Sequence, residues 1–489
     1  VITKFPHLTL KIMATYDLMF YKLSCKLSES LTQTEGQTMT HRAISPIDGR
    51  YQSKTVPLQD YLSEWALMKY RVLVEVRWLI AMADNPDMPE IRPLTQDEKD
   101  VLNALVDDFD NDSADAIKAI ERTTNHDVKA VEYFIKDKIA ETSLADVSEF
   151  VHFCCTSADI NNLAYALMIR DSIEQVWWAK AHELNEQLYK LAESLMDVPM
   201  LARTHGQPAT PTTIGKELMV YAYRLERQLK QLDHQEYLGK FSGAVGAYNA
   251  HLVAYPDLDW QNISRDFVGS LDLTHNPLTT QIESHDFLAE IAHTIMRFNT
   301  IVLDLCRDMW MYISINYFKQ RVIAGEVGSS TMPHKVNPID FENAEANAGI
   351  SNATLAHLAD KLPISRWQRD LSDSSAMRNV GVGIAHSYLM ILSTMRGLGK
   401  VDINPVALSA DLDEAWEVLG EAVQTILRKH QIPNAYEKLK DLTRGSGISQ
   451  ESLQAFIHTL NIPEDDKARL LALTPSTYIG LADKLAKLE

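Results

Sequence analysis

Between residues 160 and 400 the chain repeats apolar residues at helical spacing and offers few alternating β-branched runs, so its core has to be built from long helices. In 212–237, Ile214, Leu218, Tyr221, Leu225, Leu229 and Leu232 follow at intervals of four, three, four, four and three, which is one face of a helix, and charged residues fill the other positions. Stretches of similar length and periodicity at 160–196, 285–320, 339–361 and 375–400 bring the expected long helices to five. Such helices hide their apolar faces by bundling. Several are apolar on more than one side, as in MRFNTIVLDLCRDMWMYISI at 296–315. One bundle cannot bury that much surface, and self-association is expected.

A chain of 489 residues exceeds one core, and roughly three domains are expected from a prior of about 150 residues each. We place their edges near residue 146, before the long helices, and near Val401, where the turn-forming Asn404 and Pro405 precede a new amphipathic segment. The divisions are then 1–38, an N-terminal extension, 39–146, a helical domain, 147–401, the long-helix bundle, and 402–489, a C-terminal helical domain. The formal charge of −19 argues against nucleic acid or an anionic membrane as the main partner. Any anionic ligand therefore needs a local basic pocket. Cys25, Cys154, Cys155 and Cys306 show neither paired CxxC spacing nor a zinc-like His cluster, and they read as thiols of a cytoplasmic protein. No uncharged stretch approaches the roughly 20 residues of a membrane span. Residues 1–38 are interrupted by Lys11, Asp17 and Lys22 and make a poor signal peptide, while Met39 stands just before THRAISPIDGRY. They are expected to be an extension or an artefact of start-site choice.

One loop concentrates chemistry. In GSSTMPHKVNP at 328–338, glycines permit unusual backbone, Ser329 and Ser330 supply paired hydroxyls, and Lys335 adds a fixed positive charge. Asn337 and Pro338 read as the N-cap and first residue of a helix whose N–H groups point back at the loop, an arrangement suited to an anion. Three further polar stretches, TTNHD at 123–127, CTSADINN at 155–162 and RTHGQPA at 203–209, are expected at helix edges.

The loop closely resembles that of the fumarase and aspartase superfamily, and TTNHD, TS, THGQ and GSS occur in that superfamily's order. From about residue 43 onward, including SPIDGRY at 45–51, KAIERTTNHDVKAVEYF at 118–134, TTQIE at 279–283 and SRWQRDLSDSS at 365–375, the chain is similar to the branch that releases fumarate from adenylosuccinate. The resemblance implies an all-α, three-domain fold whose central helices associate into a tetrameric core, with active sites shared between subunits. It implies β-elimination from adenylosuccinate, and from the succinyl-carboxamide imidazole ribotide, with no metal or cofactor.

The same resemblance assigns roles. Ser329 would be the base, its hydroxyl acidified by the positive potential of Lys335, the loop N–H groups and the helix start. His205 would be the acid, held by Glu342, because imidazole exchanges a proton near neutral pH and an orienting carboxylate fixes its tautomer. His126, flanked by Asn125 and Asp127, would bind substrate and support proton transfer. Thr156, Ser157, Gln281, Lys335 and Asn337 would hold the succinyl carboxylates, with Ser330 and Asn343 alongside. Arg50, Tyr51, Arg369, Ser374 and Arg378 would take the phosphate, since guanidinium presents paired donors to phosphate oxygens. Ser329→Ala is expected to keep substrate binding and lose turnover by several orders of magnitude. Steady-state kinetics beside a direct binding measurement checks this, and near-normal turnover removes Ser329 from the role.

Overall fold

Some of the helices start where a polar side chain satisfies one of the first free N–H groups. Ser63 Oγ accepts from Ala66 N at 3.1 Å and opens α1 (Glu64–Ala83). His126 Nδ1 accepts from Lys129 N at 3.1 Å and opens α2 (Asp127–Ile139). The chain then forms α3 (Ser157–Ser172), a single π turn (Ile173–Trp177) and α4 (Trp178–Ser194) as one unbroken rod. A hairpin of β1 (Pro199–Thr204) and β2 (Gln207–Thr213) leads into α5 (Ile214–Leu232), and α6 (Asp286–Ser314), α7 (Ile339–Lys361) and α8 (Val380–Leu398) complete the bundle. The computed structural model describes residues 42–323, 325, 332, 335–435, 437 and 448–487. Ser329, Ser330 and most of their loop lie outside these.

The chain divides after Ser53 into two units. In the first, the described residues are successive turns, with Gly49 N donating to Ser45 O at 3.1 Å and Tyr51 N to Pro46 O at 2.8 Å. Everything that follows belongs to the second.

All six residues of the α5 stripe are buried, as their spacing predicts. Helix α5 runs antiparallel to α6: Tyr221 donates to Asp308 at 2.5 Å and Arg224 to Asp304 at 2.8 Å, while farther along Arg297 Nε meets Gln228 at 2.9 Å. Helix α7 is antiparallel to α6 as well, since Trp310 Nε1 donates to Glu342 at 3.2 Å and Asn299 Nδ2 to Ser351 at 2.9 Å. Through the middle passes a buried polar thread. Trp177 Nε1 donates to Ser387 Oγ at 2.8 Å, Ser387 Oγ to Asn299 Oδ1 at 2.6 Å, and Ser351 Oγ to Gly383 O at 2.7 Å. Every side chain of the thread is fully buried, so it fixes the register of α6, α7 and α8 against the rod.

Two local expectations are corrected. RTHGQPA is the tip of the β1–β2 hairpin instead of a helix edge, with Arg203 paired to Pro208 and Thr204 to Gln207. His205 and Gly206 form the two-residue turn with φ of 54° and 76°, the left-handed geometry that a tight hairpin needs. Helix α7 starts at Ile339, with Pro338 at its N-cap, one residue later than expected. A separate apolar cluster of Leu419, Val423, Leu427, Leu453, Ile457 and Leu470 packs the C-terminal helices. Among the described residues no helix is long and apolar enough to cross a membrane.

Asn299→Ala leaves the Ser387 O–H without its acceptor and Ser351 Oγ without one of its donors inside the bundle, and is expected to cost about 1–3 kcal/mol. A lowered urea midpoint at fixed protein concentration checks it.

Candidate active site

At the end of the bundle where α3 begins, several of the sequence-predicted residues meet. Asn125, in the left-handed conformation with φ of 52°, turns the chain so that His126 and Asp127 start α2. Asp127 Oδ2 is held by Arg71 Nη2 at 2.7 Å and Arg378 Nη2 at 3.1 Å. Burial alone would raise this carboxyl, but Arg71 and Arg378 outweigh it and hold it below the usual carboxylate range. Asp127 therefore anchors Arg378, and its own charge is already compensated. Arg71 also donates through Nε to Asn161 at 2.8 Å. Asn161 lines a cleft with Asn162, Tyr165, His285, Arg369 and Ser374. Burial pushes the His285 imidazole down, as does Arg369, against the opposing pull of Glu283. Arg369 Nη2 lies 3.5 Å from Oδ1 of Asp373, which lines the same cleft. Thr156 is the N-cap of α3 with Ser157 its first residue, and Gln281 Nε2 donates to Ala244 O at 2.9 Å.

The turn leading into Thr156 is strained. His152 and Cys154 both have positive φ, 63° and 61°, without being glycine. His152 Nδ1 lies 2.6 Å from Oε1 of the fully buried Glu75. Burial would lower the imidazole pKa, but the Glu75 contact and charge raise it overall. Burial pushes the Cys154 thiol up to about 11, which leaves it inert near neutral pH. Sequence reasoning passed over His152, Arg71 and Asn161. A signal existed for Arg71, because it and Glu75 fall on the same helical stripe as Leu67 and Trp78, and a charge inside an apolar stripe needs a partner.

His205, Lys335, Asn337, Glu342 and Asn343 sit at the other end. His205 is exposed at the hairpin tip. Lys335 is exposed, its N–H donating to Met332 O at 3.0 Å, and Asn337 is half-buried just before α7. Glu342 faces Trp310, and no hydrogen bond joins it to His205 within the chain. Asn343 Oδ1 accepts from Ser393 at 2.7 Å and Asn347 at 3.2 Å, so it is tied into the bundle. The rod 157–194 is about 57 Å long at 1.5 Å per residue, with Thr156 at its start and the hairpin after its end. Helix α6, about 43 Å long by the same rise, has His285 at one end and Trp310 near the other. One chain therefore carries these two groups of candidate residues tens of ångströms apart.

A lyase family model matches residues 49–353, and an adenylosuccinate lyase C-terminal model matches residues 365–479. The adenylosuccinate lyase of Haemophilus influenzae is 52% identical over 452 residues, covering 92% of this chain and 99% of the relative. That of Escherichia coli strain K12 is 54% identical over 441 residues, covering 90% and 97%. The chain belongs to the adenylosuccinate lyase family. Its fold extends to more distant lyases and cycloisomerases: a fumarate lyase from Mesorhizobium sp. BNC1 superposes with a TM-score of 0.71 at 19% identity, covering 88% of this chain and 96% of that one. The 3-carboxy-cis,cis-muconate lactonizing enzyme from Pseudomonas putida gives 0.70 at 20%, covering 88% and 95%.

In this member of the adenylosuccinate lyase family, the Glu75–His152 pair also makes a pH-dependent contribution to stability. Its histidine pKa is raised above 6.5, so the contribution is complete below that value and fades as pH rises through the folded-state pKa. Glu75→Gln should therefore lower the urea midpoint more at pH 6 than at pH 9, and an equal loss at both removes the pair as the cause.

Proposed function

We propose that the chain eliminates fumarate from adenylosuccinate, leaving AMP, and does the same with the succinyl-carboxamide imidazole ribotide. The observation that carries this is the 54% identity to an adenylosuccinate lyase across 90% of the chain. The clustering of Arg369, Ser374 and Arg378 at one end supports it, because it supplies the local basic pocket that a protein of charge −19 needs for a nucleotide phosphate.

In this reading Ser329 removes the proton next to a succinyl carboxylate, and Lys335 with the loop N–H groups stabilises the carbanion, whose charge spreads onto carboxylate oxygens. The C–N bond to the purine then breaks as His205, oriented by Glu342, protonates the departing nitrogen. Thr156, Ser157, Gln281 and Asn337 grip the carboxylates, and Arg50, Tyr51, Arg369, Ser374 and Arg378 hold the phosphate. His126 lies beside the substrate. The enzyme needs no cofactor here and works in the cytoplasm.

The two separated groups of candidate residues favour a homotetramer in which the THGQ and GSS ends of neighbouring chains complete the TTNHD and TS end of another. Exposed Val220 and Tyr223 on α5, Trp310 and Met311 on α6, and Ile350 on α7 support it, since these apolar side chains are left uncovered among the described residues. The three-domain division at 146 and 401 belongs to the same proposal.

A spectrophotometric comparison of adenylosuccinate with argininosuccinate tests the activity, and cleavage of argininosuccinate alone overturns it. Sharing has its own test. Thr156→Ala and His205→Ala are each expected to be nearly inactive, yet subunit exchange between them should restore measurable turnover by assembling some intact sites. Absence of recovery in verified hybrids rejects shared sites.

A further inference from the structure

Among the described residues, Lys240 and Asp159 are the one oppositely charged pair with both side chains wholly hidden from solvent, at 2.7 Å. Placing two charges in a protein interior is unfavourable unless every remaining donor and acceptor is satisfied. Here they are densely engaged. Asp159 Oδ1 accepts from Lys240 Nζ, from Ser242 N at 3.0 Å and from Gly243 N at 3.3 Å, while Oδ2 accepts from Thr156 N at 2.8 Å. Lys240 Nζ donates a second time, to Gly243 O at 3.0 Å. Its backbone is clamped by Asn162, whose amide oxygen accepts from Lys240 N at 2.8 Å and whose amide nitrogen donates to Lys240 O at 2.9 Å.

The two segments joined in this way both lead to the site. Asp159 is the third residue of α3, so its bond to Thr156 N fixes the turn that presents Thr156 and Ser157. The Ser242–Gly243 turn continues into Ala244, whose carbonyl accepts from Gln281. Farther on, a Cβ at Gly246 would lie 2.1 Å from Thr279 O, so this loop is pressed against the strand of chain that carries Gln281.

We propose that Lys240, acting through Asp159, is a positioning residue: it sets the spacing between the Thr156–Ser157 hydroxyls and the Gln281 amide, and so the grip on the succinyl carboxylates. This rests on the carboxylate-binding assignment proposed above. Lys240 is too deeply enclosed to touch substrate.

The test compares wild type, Lys240→Met and the Asp159→Asn/Lys240→Met double variant as assembled enzyme, measuring kcat and KM for adenylosuccinate and inhibition constants for fumarate and for AMP. Fumarate affinity and kcat/KM should fall by roughly 100-fold, as expected for displaced ligands, while AMP affinity stays within about twofold. If Lys240→Met fails to fold, the double variant carries the comparison, because neither charge is left alone in the interior. Unchanged fumarate affinity in a folded variant overturns the proposal, and so does an equal loss of fumarate and AMP affinity, which marks general loosening. Thr156→Ala and Gln281→Ala separate this from the underlying assignment. If both retain wild-type fumarate affinity, the carboxylate edge lies elsewhere and the proposal falls with it. If both weaken fumarate while Lys240→Met does not, only the role of Lys240 is overturned.

Discussion

An α-helix keeps its length because every interior N–H is bonded along its axis, and the rod of residues 157–194 therefore acts as a spacer within each chain. It holds the turn of Thr156 and Ser157 at one extreme and the hairpin of His205 at the other, while α5, α6 and α7 run alongside and carry Glu342 and Lys335 to the hairpin's end. The separation is a consequence of helix geometry and the buried polar thread of Trp177, Ser387, Asn299 and Ser351, which prevents the helices from sliding. The exposed apolar residues of α5, α6 and α7 are the surfaces that the proposed association of chains would cover.

Electrostatics makes the same end of the bundle distinctive. The protein is strongly acidic as a whole, yet Arg71, Arg369 and Arg378 gather there, with Asp127 as the single carboxylate shared by two of them. A carboxylate held between guanidinium groups keeps their side chains in place without cancelling both charges. The nearby cleft wall adds no further cation, because burial and Arg369 together favour the neutral form of His285. Each of the three guanidinium groups is thus held by a carboxylate, Arg71 and Arg378 by Asp127 and Arg369 by Asp373 at 3.5 Å.

Much of this was readable from residue order. The stripe of Ile214, Leu218, Tyr221, Leu225, Leu229 and Leu232 marks a helix because burial imposes the helical period on composition, and all six residues are indeed buried. The hairpin was not readable in the same way. Its strands are short, interrupted by a bulge between Leu201 and Arg203 and by Pro208 and Pro211, so no alternation survives to announce them. Lys240 and Asp159 were invisible for a different reason: a lysine followed by a Gly-containing turn looks like surface, and only tertiary contact 81 positions away reveals an interior pair. The assignment of Ser329 and Ser330 rests on the sequence resemblance, since they lie outside the described residues.

The π turn at Ile173–Trp177 gives the rod a property that its length alone would not. An α-helix advances about 100° per residue, so a segment wound with one extra residue rotates everything beyond it relative to everything before. The first half can thereby turn Asn161, Asn162 and Tyr165 toward the cleft while the second turns Leu184 and Leu188 into the bundle, and the indole of Trp177 enters the interior at the point of change. A single strut thus serves two differently oriented neighbourhoods, with the phase between them fixed by five residues of backbone.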